Sequence, residues 1–456
     1  MIGLNKIGLN QVQLNRLRLN APFPAYGKMA GGGGSSDGFP QLPGDVTRWH
    51  FGGLTNEMMA AMDDPRIEDA DHKGRFLSFK NFAWKEGSGI SDVYPGALVF
   101  DGVDDYGTCD NFPILNKEKG YTVVALRKWL TPETKTINEV LLGNFKNNPI
   151  WISANLGAFQ FEVKYNVSKK VQTDSFGIGN NITLNNNHLF SYQISNSYNG
   201  SILRIGSNDG GNFFTVGCGG DQFYANAAIW ELVFLDHDAT EEELTKIKDY
   251  FVKTYPWLFP YQAWTVTGKT NEDDDRATIA NITGNGNNLV LSNFGFIEGS
   301  GYNEEGEYAG YLVTDGVDDK ITSSTFEMGN DWTVIGDWEL INTGKNDNAG
   351  IVKFNSIVIY NYNPILINIK NGRNNLIPDQ NTVNAICSDG RIYSKDWKES
   401  IYNEETESTS KNLLTIGYSG NSYTKIAFKN LAIYPTVLSK EDCIKAYNYL
   451  QTLKAK

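Results

Sequence analysis

"AAIWELVFLDHDATEEELTKIKDYF" at residues 227–251 and "IAFKNLAIYPTVLSKEDCIKAYNYL" at residues 426–450 follow one plan. In each, an apolar and aromatic run leads through a short polar turn into a segment of helical period. The run reads as a buried strand, because β-branched and aromatic residues dominate it. Thr240 with Glu243 makes a capping-box start for the first helix. Ser439 with Asp442 opens the second, where the shorter Asp side chain reaches back less well.

Working backwards from these ends, the whole body of the chain pairs with itself. Trp49 with "GLTNE" (53–57) matches Trp264 with "GKTNE" (268–272), and "KNFAWKEGSG" (80–89) matches "SNFGFIEGSG" (292–301). "FDGVDDYG" (100–107) matches "TDGVDDKI" (314–321), and "YTVVA" (121–125) matches "WTVIG" (332–336). Matches that keep their order while the offset drifts mean a duplicated domain with loop insertions and deletions. Many short β-rich runs, separated by Gly/Asn/Asp turns such as the Asp-Gly pairs, predict an all-β architecture: two tandem antiparallel sandwiches, each closed by a C-terminal helix. Trp49 and Trp264, recurring at equivalent positions, are expected in the two cores. The domains span 46–257 and 262–456. The join at 258–261 lies within "YPWLFPYQAW" (255–264), whose prolines and aromatic rings predict a stiff linker holding both sandwiches as one body.

Ahead of the body stands an arm, residues 1–29, in which an apolar-x-Leu-Asn unit recurs four times: Ile2 with Leu4, Ile7 with Leu9, Val12 with Leu14, and Leu17 with Leu19. A period of five fits neither helix nor plain strand, so the chain must turn at each Asn. Four short edges make about one coil of a β-solenoid, which cannot bury its own apolar side chains and needs neighbours. These eight apolar residues are the expected oligomer or anchor contacts; an irregular tail is the alternative. Residues 30–45, containing "AGGGGSSDG", read as a Gly-rich hinge.

Charge separates the arm from the rest. Lys6, Arg16, Arg18 and Lys28 give the first 30 residues +4 within a chain of net charge −13, so a basic foot sits under an acidic body. Four charges are too few for nucleic acid, and no apolar stretch approaches a membrane span. The N-terminus lacks a continuous apolar signal core. Cys109, Cys218, Cys387 and Cys443 are widely separated and form no CxxC pair, reading as buried thiols rather than a disulfide frame.

The strand, acid-rich loop and terminal helix, together with the "FDGVDDY" hairpin, resemble the concanavalin A-like jelly roll of the laminin G and pentraxin type over both copies. The tandem arrangement behind a short arm also resembles structural proteins of crAss-like bacteriophages. These resemblances imply a virion fibre or decoration protein, assembled in the host cytoplasm as a homo-oligomer. Its arm would join other virion proteins while lectin-like domains attach to host-surface glycans. A secreted or surface bacterial carbohydrate-binding protein and a ligand-free spacer are the alternatives.

No enzymatic activity is expected. Glycan cleavage needs two carboxylates across the bond, and no ExDxE-type strand occurs. His50, His72, His188 and His237 sit beside no nucleophile motif. Asp101, Asp104 and Asp105, with Asp315, Asp318 and Asp319, offer hard oxygen ligands, but their spacing suits a solvated turn better than a calcium loop; no metal and no cofactor is expected. Sugar stacking needs exposed aromatic rings, for which Trp84, Trp129, Trp151 and Tyr165 are the candidates.

Overall fold

In the computed structural model the described residues are 37–109, 121–130, 224–284, 286–327, 329–341, 383–401, 413–419 and 422–455, together with the backbone of nine further strands between them. The arm, with Ile2, Leu4, Ile7, Leu9, Val12, Leu14, Leu17 and Leu19, lies outside them, as do Trp151 and Tyr165. The chain divides into two units, one ending at Phe251 and one starting at Val252.

Each unit is built from two large antiparallel sheets, to which the second adds a two-stranded ribbon, Tyr418–Ser419 with Ser422–Tyr423. In the first, the larger sheet runs Asn180–Leu184, Phe190–Ser195, Tyr121–Trp129, Asn226–Leu235, Leu98–Asp101, Gly89–Ile90, with Val46–His50 also paired to Asn226–Leu235. The second sheet runs Arg66–Glu68, Phe76–Lys80, Tyr106–Cys109, Phe214–Val216, Glu139–Gly143, Gln160–Lys164. Side chains from both sheets meet in one core: Trp49, Phe100, Val123 and Leu232 from the first, Ile67, Leu77 and Phe79 from the second. That is a face-to-face β-sandwich. The second unit repeats the plan, with Trp264, Val334, Phe428 and Leu431 against Ile279, Leu289, Leu291 and Ile321. Trp49 and Trp264 are both fully buried, and each indole N–H donates to a backbone carbonyl, of Arg75 and Asn287 respectively.

A shared irregularity ties the copies together. Along Asn226–Leu235 the core-facing residues are Ala227 and Ile229, then Leu232 and Phe234; the parity slips at Trp230, where the pairing with Tyr121–Trp129 jumps from Ile229 to Glu231. Along Ile426–Tyr434 they are Ile426 and Phe428, then Leu431 and Ile433, with Lys429 skipped. One extra residue therefore bulges at the same place in both central strands. Opposite the second bulge, Gly336 gives room to Trp338: a Cβ on Gly336 would lie 1.7 Å from the Trp338 ring.

Helices Glu241–Thr254 and Lys440–Gln451 close the units. The first has the reciprocal cap: Glu243 N–H donates to Thr240 Oγ1 at 3.3 Å, and Thr240 N–H donates to Glu243 Oε2 at 2.8 Å. In the second, Asp442 N–H donates to Ser439 Oγ, but the Asp442 carboxylate accepts from the Ser439 hydroxyl. One methylene fewer costs the backbone half of the box. No helix among the described residues is long and apolar enough to cross a membrane.

From Asp37 onward the chain is held to the first unit. Phe39 is buried edge-on against Tyr250, and Asp37 pairs with Arg48, whose guanidinium also donates to Glu231 Oε1 at 3.0 Å and to Tyr250 Oη at 2.9 Å. Burial works to discharge Arg48, but Glu231, Tyr250 and Asp37 together outweigh it and hold the guanidinium above its ordinary range.

Candidate functional site

The residues most alike between the copies build one structural module, made twice. Asn56 and Asn271 clamp the strands Gly89–Ile90 and Gly301–Tyr302, each accepting a backbone N–H and donating to a carbonyl at 2.8 Å. The clamp presses so close that a Cβ on Gly89 or Gly301 would meet the Asn oxygen at 2.3 or 2.5 Å, and both glycines have positive φ (146° and 158°). Asn81 and Asn293, in the left-handed region, each donate at 3.0 Å to the carbonyl of Asp104 or Asp318 in the neighbouring turn.

Within those turns the carboxylates face their own backbone. Asp101 Oδ1 accepts from Val103 and Asp104 N–H, and Asp105 accepts from Asp101 N–H and Ser88 Oγ, both at 3.0 Å. Asp315 and Asp319 repeat the backbone contacts. Although the three carboxylates of each set lie within 4.8 Å of one another, the hydrogen bonds describe an Asx-type turn. Burial pushes Asp105 and Asp319 up to about 6, against the hydrogen bonds they accept.

Trp84 belongs to this module. It has φ 50°, stacks on Phe82 at 5.0 Å and meets Phe79 edge-on at 5.7 Å; its counterpart Phe296 has φ 51° and packs near Phe294 and Tyr302. Much of the Trp84 ring is therefore engaged with the core, as is that of half-buried Trp129.

A different group of rings converges on the outer face of the second unit. Asp337 and Glu339 point away from the core, in alternation with Trp338 and Leu340. Tyr311 Oη donates to Asp337 Oδ1 at 3.1 Å, and Tyr447, from the closing helix, also hydrogen-bonds to Asp337. Burial first and the Asp337 charge second push both phenols up, so both stay protonated donors. Tyr308 lies edge-on to Tyr311 at 6.4 Å, the Lys429 ammonium sits 5.5 Å over the Tyr311 ring, and Trp397 meets Tyr447 edge-on at 5.7 Å. All four rings are half-buried. Trp397 has φ 57°, a conformation that a bulky residue adopts only when its surroundings impose it.

The first unit fills the same place. Leu126 stands for Asp337, Ala97 for Tyr311 and Trp230 for Lys429, and all three are completely buried; the Trp230 indole donates to Pro95 O at 3.0 Å. One sheet face thus carries a sealed apolar plug in one copy and an aromatic cluster around a carboxylate in the other. Sequence reasoning missed the cluster because its members come from four separated segments. The substitution of lysine for tryptophan at the bulge was the one available signal.

The fold and these surfaces define an all-β protein of tandem antiparallel sandwiches. No family model matches the chain, and no curated protein matches it. Among solved structures it is similar to an HCR/D W1238A mutant (13% identity, TM-score 0.31), covering 41% of this chain and 50% of that one, so it spans half that chain's length. It is similar to Trypanosoma rangeli sialidase (8% identity, TM-score 0.31; 85% and 68% covered). A third is a truncated AlyQ with CBM32 and alginate lyase domains (8% identity, TM-score 0.22; 79% and 97% covered). Likeness at this level carries no argument about activity; the sandwich class rests on the sheets themselves.

Proposed function

We propose that this chain is a non-enzymatic attachment protein whose concanavalin A-like jelly rolls display a glycan-binding surface, with the second domain as the reader. The observation that carries this reading is the cluster at Asp337. Half-buried Tyr308, Tyr311, Trp397 and Tyr447 offer ring faces and hydroxyls beside carboxylates, the combination that stacks on a pyranose and bonds its hydroxyls. Trp84 and Trp129 are secondary candidates in the first domain. The assembly assigned to it is a virion of the crAss-like phage type. A basic, five-residue-period arm needing partners supports this, with Ile7, Leu9, Val12 and Leu14 at its centre. Weak single contacts then gain strength from several copies on one particle.

The test uses the two copies against each other. Tyr311→Ala, Asp337→Leu and Lys429→Trp together rebuild the first domain's plug of Ala97, Leu126 and Trp230 in the second. Glycan-array binding by the full chain is expected to fall at least tenfold in this variant, with far-ultraviolet circular dichroism unchanged. Bound polysaccharide is expected to be recovered uncut. Binding that survives the plug moves the site elsewhere; release of reducing ends that a single carboxylate substitution abolishes makes the protein a depolymerase.

A further inference from the structure

The second domain carries a pair of thiols that the glycan reading does not use. Cys387 ends the strand Val383–Cys387, paired with Thr333, and Cys443 lies in the first turn of the helix Lys440–Gln451. Both are fully buried, and the two thiols share a hydrogen bond. The junction around them is fixed. Thr333 Oγ1 lies 3.7 Å from Cys387 Sγ and accepts from Leu438 N–H at 2.9 Å, just ahead of the helix cap. Arg391 donates to the Leu438 carbonyl at 3.0 Å and places a cation near the Cys387 sulfur, an environment that favours thiolate.

The first domain meets the same junction without sulfur. Leu244 aligns with Cys443. Thr122, which aligns with Thr333, pairs with Ile194 where Thr333 pairs with Cys387. Two positions that touch have both become cysteine in one copy while the other holds aliphatic residues.

We propose that Cys387 and Cys443 form a redox-closed staple between the central sheet and the closing helix of the second domain. With a glutathione-type disulfide as oxidant, the Cys387 thiolate attacks one sulfur and releases one glutathione thiol. Cys443, which its hydrogen bond to Cys387 and its burial hold protonated while the helix is packed, loses its proton once the helix is lifted and displaces the second from the mixed disulfide. Two electrons pass from the protein pair to the oxidant, and the two protein protons end on two glutathione thiols. Because both sulfurs are buried, the exchange requires the helix to lift or occurs before it docks. The bond closes a loop of roughly 55 residues, which restricts the unfolded chain. The domain would thus fold as a dithiol in a reducing compartment and be locked on leaving it.

The test is refolding of the full chain in oxidised glutathione or in dithiothreitol, followed by alkylation, non-reducing peptide mapping and thermal melting. A peptide linked through Cys387 and Cys443 is expected only in the oxidised sample, with the melting temperature several degrees above the reduced one. Cys443→Leu, the first domain's residue, is expected to remove both effects. Thiols that remain alkylatable, glutathione adducts without the link, links to Cys109 or Cys218 instead, or equal melting temperatures each overturn the proposal. Should Cys443→Leu not fold, the oxidised and reduced wild-type samples still decide it.

Discussion

The two domains agree where the backbone has no choice and differ where a side chain faces outward. Both keep the Asn clamp, the Asp-Gly turn and the bulge, each of which fixes chain geometry. They part at the outer face of the central sheet. The first domain buries Arg48 against Glu231; the second has Ala263 and Asn430 there, with Tyr449 standing for Tyr250. A duplicated fold can therefore change its surface chemistry while its turns stay fixed, and a repeated motif marks scaffold before it marks function.

The largest expected break between the copies is electrostatic. Arg48→Ala removes the guanidinium from buried Glu231, leaving His50 and Tyr250 beside the carboxylate, and is expected to destabilise the first domain by about 3–5 kcal/mol. The double change Arg48→Ala with Glu231→Asn, which installs the second domain's pair, is expected to recover most of that loss. Urea unfolding of the three proteins checks it. A single variant as stable as wild type shows the ion pair to be idle.

Next in size is a pH dependence that both copies share. Asp105 and Asp319 have folded values of about 6, above the ordinary 3.8, so the folded state holds the proton more tightly. Stability from these groups is then fully present below about pH 4 and is lost as pH rises towards 6, by at most about 2–3 kcal/mol each. Asp105→Asn and Asp319→Asn are expected to flatten the profile between pH 4 and 6. A profile unchanged in both variants removes these carboxyls from the account.

Smaller and symmetric, Gly89→Ala and Gly301→Ala are each expected to cost about 1–3 kcal/mol, since both force a Cβ against the clamping Asn at positive φ. Unequal losses in thermal unfolding would show that the clamp matters in one domain only. The smallest expected effect is that of calcium. With Asp101, Asp105, Asp315 and Asp319 committed to backbone N–H groups, chelator is expected to leave the melting temperature unchanged. Calcium at about 100 times a true dissociation constant would add about 2.7 kcal/mol.

The duplication, the core tryptophans and the Thr240 cap were legible because each is a local pattern with one physical cause. The bulges were not: alternation read along "AAIWELVF" gives no reason to skip Trp230, since a strand buried on both faces has lost its polar phase. The cluster at Asp337 was hidden for a related reason. Tyr311, Asp337, Trp397 and Tyr447 are far apart in the chain, and only the sheet order together with the docking of the closing helix makes them neighbours. The packing of Trp84 was hidden as well, because sequence shows a tryptophan in a loop and conceals the Phe82 stacked on it.

The anchoring of Asp37 also sets a mechanical path. A pull on the chain ahead of it reaches the buried charges Arg48 and Glu231, then the strand Val46–His50, which is paired over all five of its residues with the central strand. Val46 pairs with Leu235, so the chain enters this strand at the same end at which it leaves the central strand, and tension there opens the ladder one pair at a time, as in a zipper, close to the Arg48–Glu231 pair. Single-molecule pulling from the N-terminus would read this as a low rupture force that Arg48→Ala lowers further.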